Sequence, residues 1–171
     1  MTSSVHPARP AATPSRYGFV ITTIVAATTA ALAAATSLAL SVPVWAMFVG
    51  WIAFFTRGLD TRGALENLAC VGLGLTIGLL ASLAIPPLAA VAGAGLALPV
   101  VVFIVALLVV ALRGLPILNN LLGYFLGLVA WFAAHLEPSL ESVAHLFGAS
   151  AIGSAAGWIS HRLPFHLLKR A

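Results

Sequence analysis

Charged side chains are scarce in this sequence. Asp, Glu, Lys and Arg together make up 7% of its 171 residues, whereas hydrophobic residues account for 61%. In soluble domains, about a quarter of all residues are typically charged. A chain of this composition has too little polar surface to cover a soluble core, so the sequence excludes a soluble domain and predicts a membrane protein.

Cysteines and clustered catalytic groups are also nearly absent. Cys70 is the only cysteine, so an intrachain disulfide is impossible, and a lone thiol in an apolar segment is most often a packing residue. The chain has no Gly-rich phosphate loop, no Ser/His/Asp set and no carboxylate pair within an apolar segment, so we do not expect an enzyme. We also expect no cofactor: a haem would need facing axial ligands, and only His135 and His145 lie near each other.

The eight Lys and Arg residues fall in four short segments that alternate with pairs of apolar runs. Because basic residues are retained on the cytoplasmic side, this alternation predicts six transmembrane helices with both termini in the cytoplasm. The predicted spans are 17–40, 42–56, 64–85, 88–112, 115–134 and 139–160. The fold class is therefore an all-α integral membrane protein. Residues 1–16 are expected to be a disordered cytoplasmic tail, 17–163 a six-helix membrane domain and 164–171 a basic cytoplasmic C-terminus.

Prolines and span lengths predict the helix boundaries. Pro86 and Pro87 are expected to mark an outer turn, Pro99 to kink the fourth span and Pro138 to lie in the first turn of the last helix. The second span reaches only about 22 Å at 1.5 Å per residue. Either its helix continues past Gly58 or the span begins as non-helical backbone around Pro43.

The second and fifth spans resemble each other. Residues 48–59 align without gaps on 125–136 at an offset of 77, with five of twelve positions identical. At an offset of 79, Gly74 and Gly78 fall on Gly153 and Gly157. Two units of three spans would have opposite orientations, which is the 3+3 inverted repeat of many transporters and channels. Chance similarity within the small alphabet of membrane sequences remains the alternative.

Polar and aromatic residues within the spans are the candidates for a solute pathway. They are Glu66, Asn67, Asn120, Trp131, Glu141 and His145. Several have a structural alternative: Glu66 as the third residue of a helix starting near Gly63, Asn120 as a bridge between helices, and His145 as an imidazole satisfied by a neighbour. Glu141 and His145 have helical i,i+4 spacing, but no third ligand follows at a motif spacing, so we expect no metal site.

Small and aromatic residues form two further groups. Phe48, Trp51 and Phe125 are candidates for a constriction in a pore. Glycine pairs are more often helix-packing faces than pore walls. The pairs are Gly74 and Gly78, Gly123 and Gly127, and Gly153 and Gly157.

One run of the sequence carries a family resemblance. It reads VPVW at 42–45, FVGW at 48–51 and FF at 54–55, with Asn67 in the next span. The spacing of Trp45, Phe48, Gly50 and Phe55 is its most specific part. The run resembles a bacterial membrane family known as domain of unknown function 1097, over about residues 20–160. The resemblance implies an inner-membrane location and a compact multi-helix domain, and it implies no assigned activity.

The best-supported function from sequence is a channel or facilitator for a small solute. Few charges in the spans suit a neutral polar or small cationic species of the urea, amide or ammonium class. Six short helices enclose little lumen, so we expect a homo-oligomer in the lipid bilayer. The scattered basic residues argue against a nucleic-acid partner. Two alternatives stay open: a structural or accessory membrane subunit, and a proton-coupled transporter using His145 or Glu66.

Overall fold

The structure, a computed structural model, describes residues 16–168, and all regular elements in this range are helices. The predicted tail before Arg16 and the last three residues lie outside the described part. The six helices are α1 (Arg16–Ala39), α2 (Val44–Thr56), α3 (Thr61–Ala92), α4 (Ala94–Leu112), α5 (Leu121–Ala134) and α6 (Leu140–Leu168).

Three of the described helices, α1, α3 and α4, are long and apolar enough to cross a membrane. α2 and α5 are apolar but have only 13 and 14 residues. At 1.5 Å per residue each reaches about 20 Å, whereas the hydrocarbon core is about 30 Å thick. These helices indicate a membrane protein, while the crossing of all six stays a prediction.

Side-chain caps define where three helices begin. The Asp60 carboxylate accepts from the Gly63 amide at the start of α3, at 2.6 Å, and Asn120 accepts from the Gly123 amide at the start of α5, at 3.3 Å. Ser139 accepts from the Ser142 amide before α6, at 3.1 Å. Each cap satisfies an amide that has no partner within its helix. α5 therefore starts at Leu121, six residues later than expected.

Prolines mark fewer boundaries than predicted. Pro86 and Pro87 lie inside α3, which continues to Ala92, so their assignment to an outer turn is wrong. The lost hydrogen bonds are tolerated because this part of α3 extends to the exposed end of the helix. The chain reverses instead at Gly93, whose φ of 87° favours glycine. Pro138 precedes α6 and lies outside its first turn, and α6 continues past Pro164.

The short second helix begins after non-helical backbone. Pro43 is extended, with φ −65° and ψ 122°, and α2 ends at Thr56 with Arg57 in an extended conformation. Gly58 then turns the chain with φ 88°. Of the two sequence alternatives, the structure therefore selects non-helical backbone around Pro43 and excludes a helix that continues past Gly58.

Two helix pairs form the centre of the molecule, α2 with α6 and α3 with α5. Within the first pair Ala46 accepts a hydrogen bond from Ser150, and Phe54 lies further along against His161. The residue numbers of the contacting pairs increase in both helices, so α2 and α6 run parallel. By the same criterion α3 and α5 are parallel, since Cys70 meets Gly123 and Gly78 meets Trp131.

The two pairs run in opposite directions. Asn120, at the start of α5, bonds to Thr56, at the end of α2. α1 packs on α6, and α4 packs on α3, so these two helices lie outside the central four. Most of their large apolar side chains are exposed, as expected for helices that face lipid. A cluster of buried apolar residues from α2, α3, α5 and α6 fills the space between the pairs.

Candidate functional site

A polar network joins α2, α3 and the segment before α5. Arg57, directly after α2, forms an ion pair with Glu66 of α3 at 3.0 Å. Its guanidinium also donates to the Asn119 side chain and to the Ile117 carbonyl oxygen, the latter at 3.2 Å. The non-helical segment 113–120 is thereby held against the turn between α2 and α3.

Two asparagines continue this network into the interior. The Asn67 amide donates to the Arg57 carbonyl oxygen at 2.7 Å, and the Asn120 amide donates to Asn67 at 2.8 Å and to Thr56 at 2.6 Å. Asn67 is fully buried. Among the described residues, every buried side-chain N or O atom has a partner. We call this set, Thr56, Arg57, Glu66, Asn67, Asn119 and Asn120, the Arg57 network.

The two arginines that contact Glu66 differ in exposure. The Arg57 side chain is 36% exposed and that of Arg62 is 78% exposed, while Glu66 is 18% exposed. Exposed ion pairs contribute at most about 1 kcal/mol, so Arg57 is the more important partner. Glu66 is the sixth residue of α3, and the capping position is filled by Asp60. The expectation that Glu66 is the third residue of a helix starting near Gly63 is therefore wrong.

Glu141 and His145 lie far from the Arg57 network. Because α6 runs parallel to α2, its first turns lie beside the start of α2, at the opposite end of the bundle. Glu141 is exposed and His145 is half-buried. The structure gives neither a hydrogen-bond partner among the described residues. Glu66 and His145 therefore lie at opposite ends of the molecule.

The aromatic candidates occupy different environments. Trp131 is buried, and its indole N–H donates to the Ser82 hydroxyl at 2.7 Å. Phe48 and Phe125 lie on the surface of the molecule, 42% and 40% exposed. Trp51 is half-buried near Phe55, with ring centroids 6.3 Å apart. None of the three constriction candidates is enclosed within the molecule.

Glycines bring the paired helices into backbone contact. A Cβ atom on Gly50 would lie 1.7 Å from the Ser150 carbonyl oxygen, and one on Gly153 would lie 1.7 Å from that of Met47. In the other pair, a Cβ on Gly127 would lie 2.2 Å from the Val71 carbonyl oxygen. The same holds for Gly74 against the Tyr124 carbonyl oxygen, also at 2.2 Å. Only glycine permits these approaches.

Contacts of one helix pair are matched in the other. Positions in α2 and α5 correspond at an offset of 77, and positions in α3 and α6 at an offset of 79. The contact of Gly50 with Ser150 then corresponds to that of Gly127 with Val71. The same offsets relate further contacts. The contact of Met47 with Gly153 corresponds to that of Tyr124 with Gly74. The contact of Phe54 with Gly157 corresponds to that of Trp131 with Gly78.

Helix starts follow the same offsets. Val44 of α2 corresponds to Leu121 of α5, and Thr61 of α3 corresponds to Leu140 of α6. The polar network has no such counterpart, because Asn67 corresponds to the buried Leu146 and Asn120 corresponds to Pro43. The two ends of the bundle therefore differ in chemistry although their helices match.

Two surface grooves are also related by these offsets. One lies between α4 and α5 above Ala81, has a volume of about 390 Å³ and is lined by apolar residues that include Phe132. The other lies between α1, α2 and α6, has a volume of about 460 Å³ and includes Phe55 and Ser160. Phe55 corresponds to Phe132, and Ser160 corresponds to Ala81. The second groove also contains His161, which makes it the more polar of the two.

Sequence reasoning missed Thr56 and Arg57 as members of the site. It used Arg57 only as a marker of topology. The available signal was its position directly after a short apolar helix, nine residues before a carboxylate. Among the described residues, no group of three or more His, Cys, Asp or Glu side chains is arranged to hold a metal ion.

The comparison with known families gives one match. The profile of a family described as "Protein of unknown function (DUF1097)" matches residues 22–164. This match confirms the resemblance found in the second span. No curated protein and no solved structure matches the chain.

Proposed function

The chain belongs to the DUF1097 family, and we propose that it is a compact channel or facilitator for a small neutral polar or small cationic solute. The urea, amide and ammonium class is the one we expect. In this proposal the chain crosses the bacterial inner membrane six times, keeps both termini in the cytoplasm and forms a homo-oligomer.

The observation that carries the proposal is the matched pair of short helices, α2 and α5. Each has about two thirds of the length needed to cross the hydrocarbon. Each is preceded by non-helical backbone, and each packs by glycine contacts on a long helix of the other unit. Short or interrupted segments at corresponding positions of two inverted halves are typical of binding sites in transporters. We infer that residues 16–93 and 94–168 are the two halves of a 3+3 inverted repeat.

The distribution of charge supports the class of solute. Charged side chains in the described bundle are concentrated at its two ends, with Arg57 and Glu66 at one end and Glu141 at the other. A multiply charged solute would meet an apolar middle, whereas a small neutral or singly charged one needs fewer compensating groups. The acidic Glu141 and the half-buried His145 form the proposed outer entrance.

The Arg57 network is the proposed inner gate. Its side chains bond in two sets that are joined through the Arg57 carbonyl oxygen, and they hold the segment 113–120 against the α2–α3 turn. In this proposal the structure represents the closed form, because a buried apolar cluster lies between the helix pairs. Opening requires the network to separate while its polar groups gain water or solute as partners.

Flux into liposomes tests the proposal. Purified protein should speed the entry of at least one solute among urea, acetamide and methylammonium compared with protein-free vesicles. Asn120→Ala, which weakens the gate, should change that rate. His145→Ala should alter its pH dependence, and Gly148→Ala, at a position with open space, should not. Absence of flux for the entire panel would refute the channel.

A structural or accessory subunit is the second candidate. It is favoured by the closed glycine contacts and by the polar groups that are satisfied within the protomer. This candidate predicts no flux together with a stable folded protomer. Flux that requires a proton gradient would instead support the coupled transporter.

A further inference from the structure

The groove between α1, α2 and α6, which we call the His161 groove, lies away from the proposed pathway. It opens at the side of the molecule, and its apolar walls include Ala26, Phe55 and Phe165. Thr22, Ser160 and His161 add polar groups. The corresponding groove between α4 and α5 has no such groups among its lining residues. The two matched grooves therefore differ in polarity.

His161 is the distinctive group in this groove. Its ring lies 6.0 Å from Phe54, 6.4 Å from Phe55 and 5.4 Å from Phe165, measured between centroids. It is half-buried and has no hydrogen-bond partner among the described residues. By contrast, the hydroxyls of Thr22 and Ser160 donate to backbone carbonyl oxygens of their own helices. The imidazole therefore has an N–H available for an acceptor brought by a ligand.

Positive charge adjoins the same groove. Arg16 begins α1 six residues before Thr22, about 9 Å along the helix, and it is exposed. It forms no ion pair within the described structure, whereas Arg57 and Arg62 both pair with Glu66. Arg162 follows His161 directly, but it lies over the Trp158 ring at 5.8 Å, and Trp158 lines the separate groove between α3 and α6. An anionic headgroup would find at this groove an unpaired arginine and an imidazole donor.

We propose that the His161 groove binds an anionic phospholipid. The phosphate contacts His161 and Arg16, and an acyl chain lies in the groove against Phe55 and Phe165. A lipid is the occupant because the groove opens between helices whose outer faces are apolar, which is where acyl chains are present. Basic pockets between helices on the cytoplasmic side bind anionic headgroups in other membrane proteins.

Native mass spectrometry of the full-length protein in detergent tests this proposal. Phosphatidylglycerol and phosphatidylcholine with identical acyl chains are titrated separately. We expect phosphatidylglycerol to be retained about fivefold more tightly for each basic residue at the headgroup. Arg16→Gln should reduce the preference for phosphatidylglycerol about fivefold. His161→Leu should also reduce this preference. Ala26→Phe should fill the groove and weaken binding of either lipid.

Matched controls separate this site from general attraction. Arg113→Gln removes an exposed arginine outside the groove, and Ala106→Phe fills the corresponding groove between α4 and α5. Both should leave the preference intact. Equal retention of the two lipids would overturn the proposal, and so would an effect of Arg113→Gln as large as that of Arg16→Gln. If Ala26→Phe fails to fold, the Arg16 and His161 variants decide.

Discussion

Replacement of Gly50 by Ala should destabilise the protein far more than a glycine replacement usually does. The new Cβ would lie 1.7 Å from the Ser150 carbonyl oxygen, and real Cβ contacts essentially never fall below 3.0 Å. Taking the difference, 3.0 minus 1.7, α2 and α6 would have to separate by about 1.3 Å. The obstacle is backbone, so a change of side-chain rotamer cannot relieve it. The hydrogen bond from Ser150 to the Ala46 carbonyl oxygen, at 3.2 Å, would be stretched as well.

The magnitude follows from three contributions. Overpacking costs about 1–3 kcal/mol, and a lost hydrogen bond between membrane helices costs about 0.6 kcal/mol. Alanine's advantage within a helix offsets about 0.5–1 kcal/mol of this. Because the clash is with rigid backbone, we take the overpacking cost at the upper end of its range. The free energy of unfolding should then fall by about 2–3 kcal/mol. Gly148→Ala, which meets nothing within 4 Å, should gain about 0.5 kcal/mol instead.

Thermal unfolding in detergent, followed by tryptophan fluorescence, measures this difference. A gap of about 3 kcal/mol corresponds to about 6–12 °C for a chain of this size. Gly127→Ala, whose Cβ would lie 2.2 Å from the Val71 carbonyl oxygen, should show a similar but smaller loss. If Gly50→Ala melts within 2 °C of Gly148→Ala, the close approach of α2 and α6 is wrong, and the matched packing of the two helix pairs with it.

Three further outcomes are expected from the polar network and the lone thiol. Asn120→Leu should lower the free energy of unfolding by about 1–3 kcal/mol, because the side-chain oxygen of buried Asn67 would lose its hydrogen-bond donor. An unchanged free energy of unfolding would mean that water replaces the amide. Arg57→Leu should destabilise more than Arg62→Leu, since the latter removes only an exposed contact with the same carboxylate; equal losses would contradict this. Cys70, fully buried, should resist maleimide until the protein unfolds, and rapid labelling would show that the α3–α5 contact opens.

Sequence patterns could predict the helices and their order, because long apolar runs separated by polar or glycine-containing turns are a local property. They did not predict that Asn120 caps α5, because the apolar run that begins at Leu115 placed this residue inside the fifth span. The turn predicted at Pro86 and Pro87 was wrong. The effect of a proline depends on whether the hydrogen bonds it removes lie in a packed region or at an exposed helix end. Local sequence does not contain that information.

The role of Arg57 was hidden for a different reason. Its partners, Glu66 and Asn119, come from two other parts of the chain, one of them 62 positions away. Likewise, the sequence contained the glycine pairs but not their partners, since nothing local assigns Gly50 to Ser150 or Gly127 to Val71. The repeated helices become informative only when the contacts of one pair are compared with those of the other.

Packing between helices that lie far apart in the chain has a consequence for biosynthesis. α2 packs on α6, and about 100 residues separate Gly50 from Ser150 in the chain. At a translation rate of about 5–20 residues per second, α2 leaves the ribosome about 5–20 s before its partner. During that interval a 13-residue apolar helix, too short to cross the bilayer alone, has to be sheltered by the insertion machinery or by α1 and α3. Assembly is therefore completed only when the last helix arrives, and a chain truncated before α6 should be recognised as unfinished and degraded.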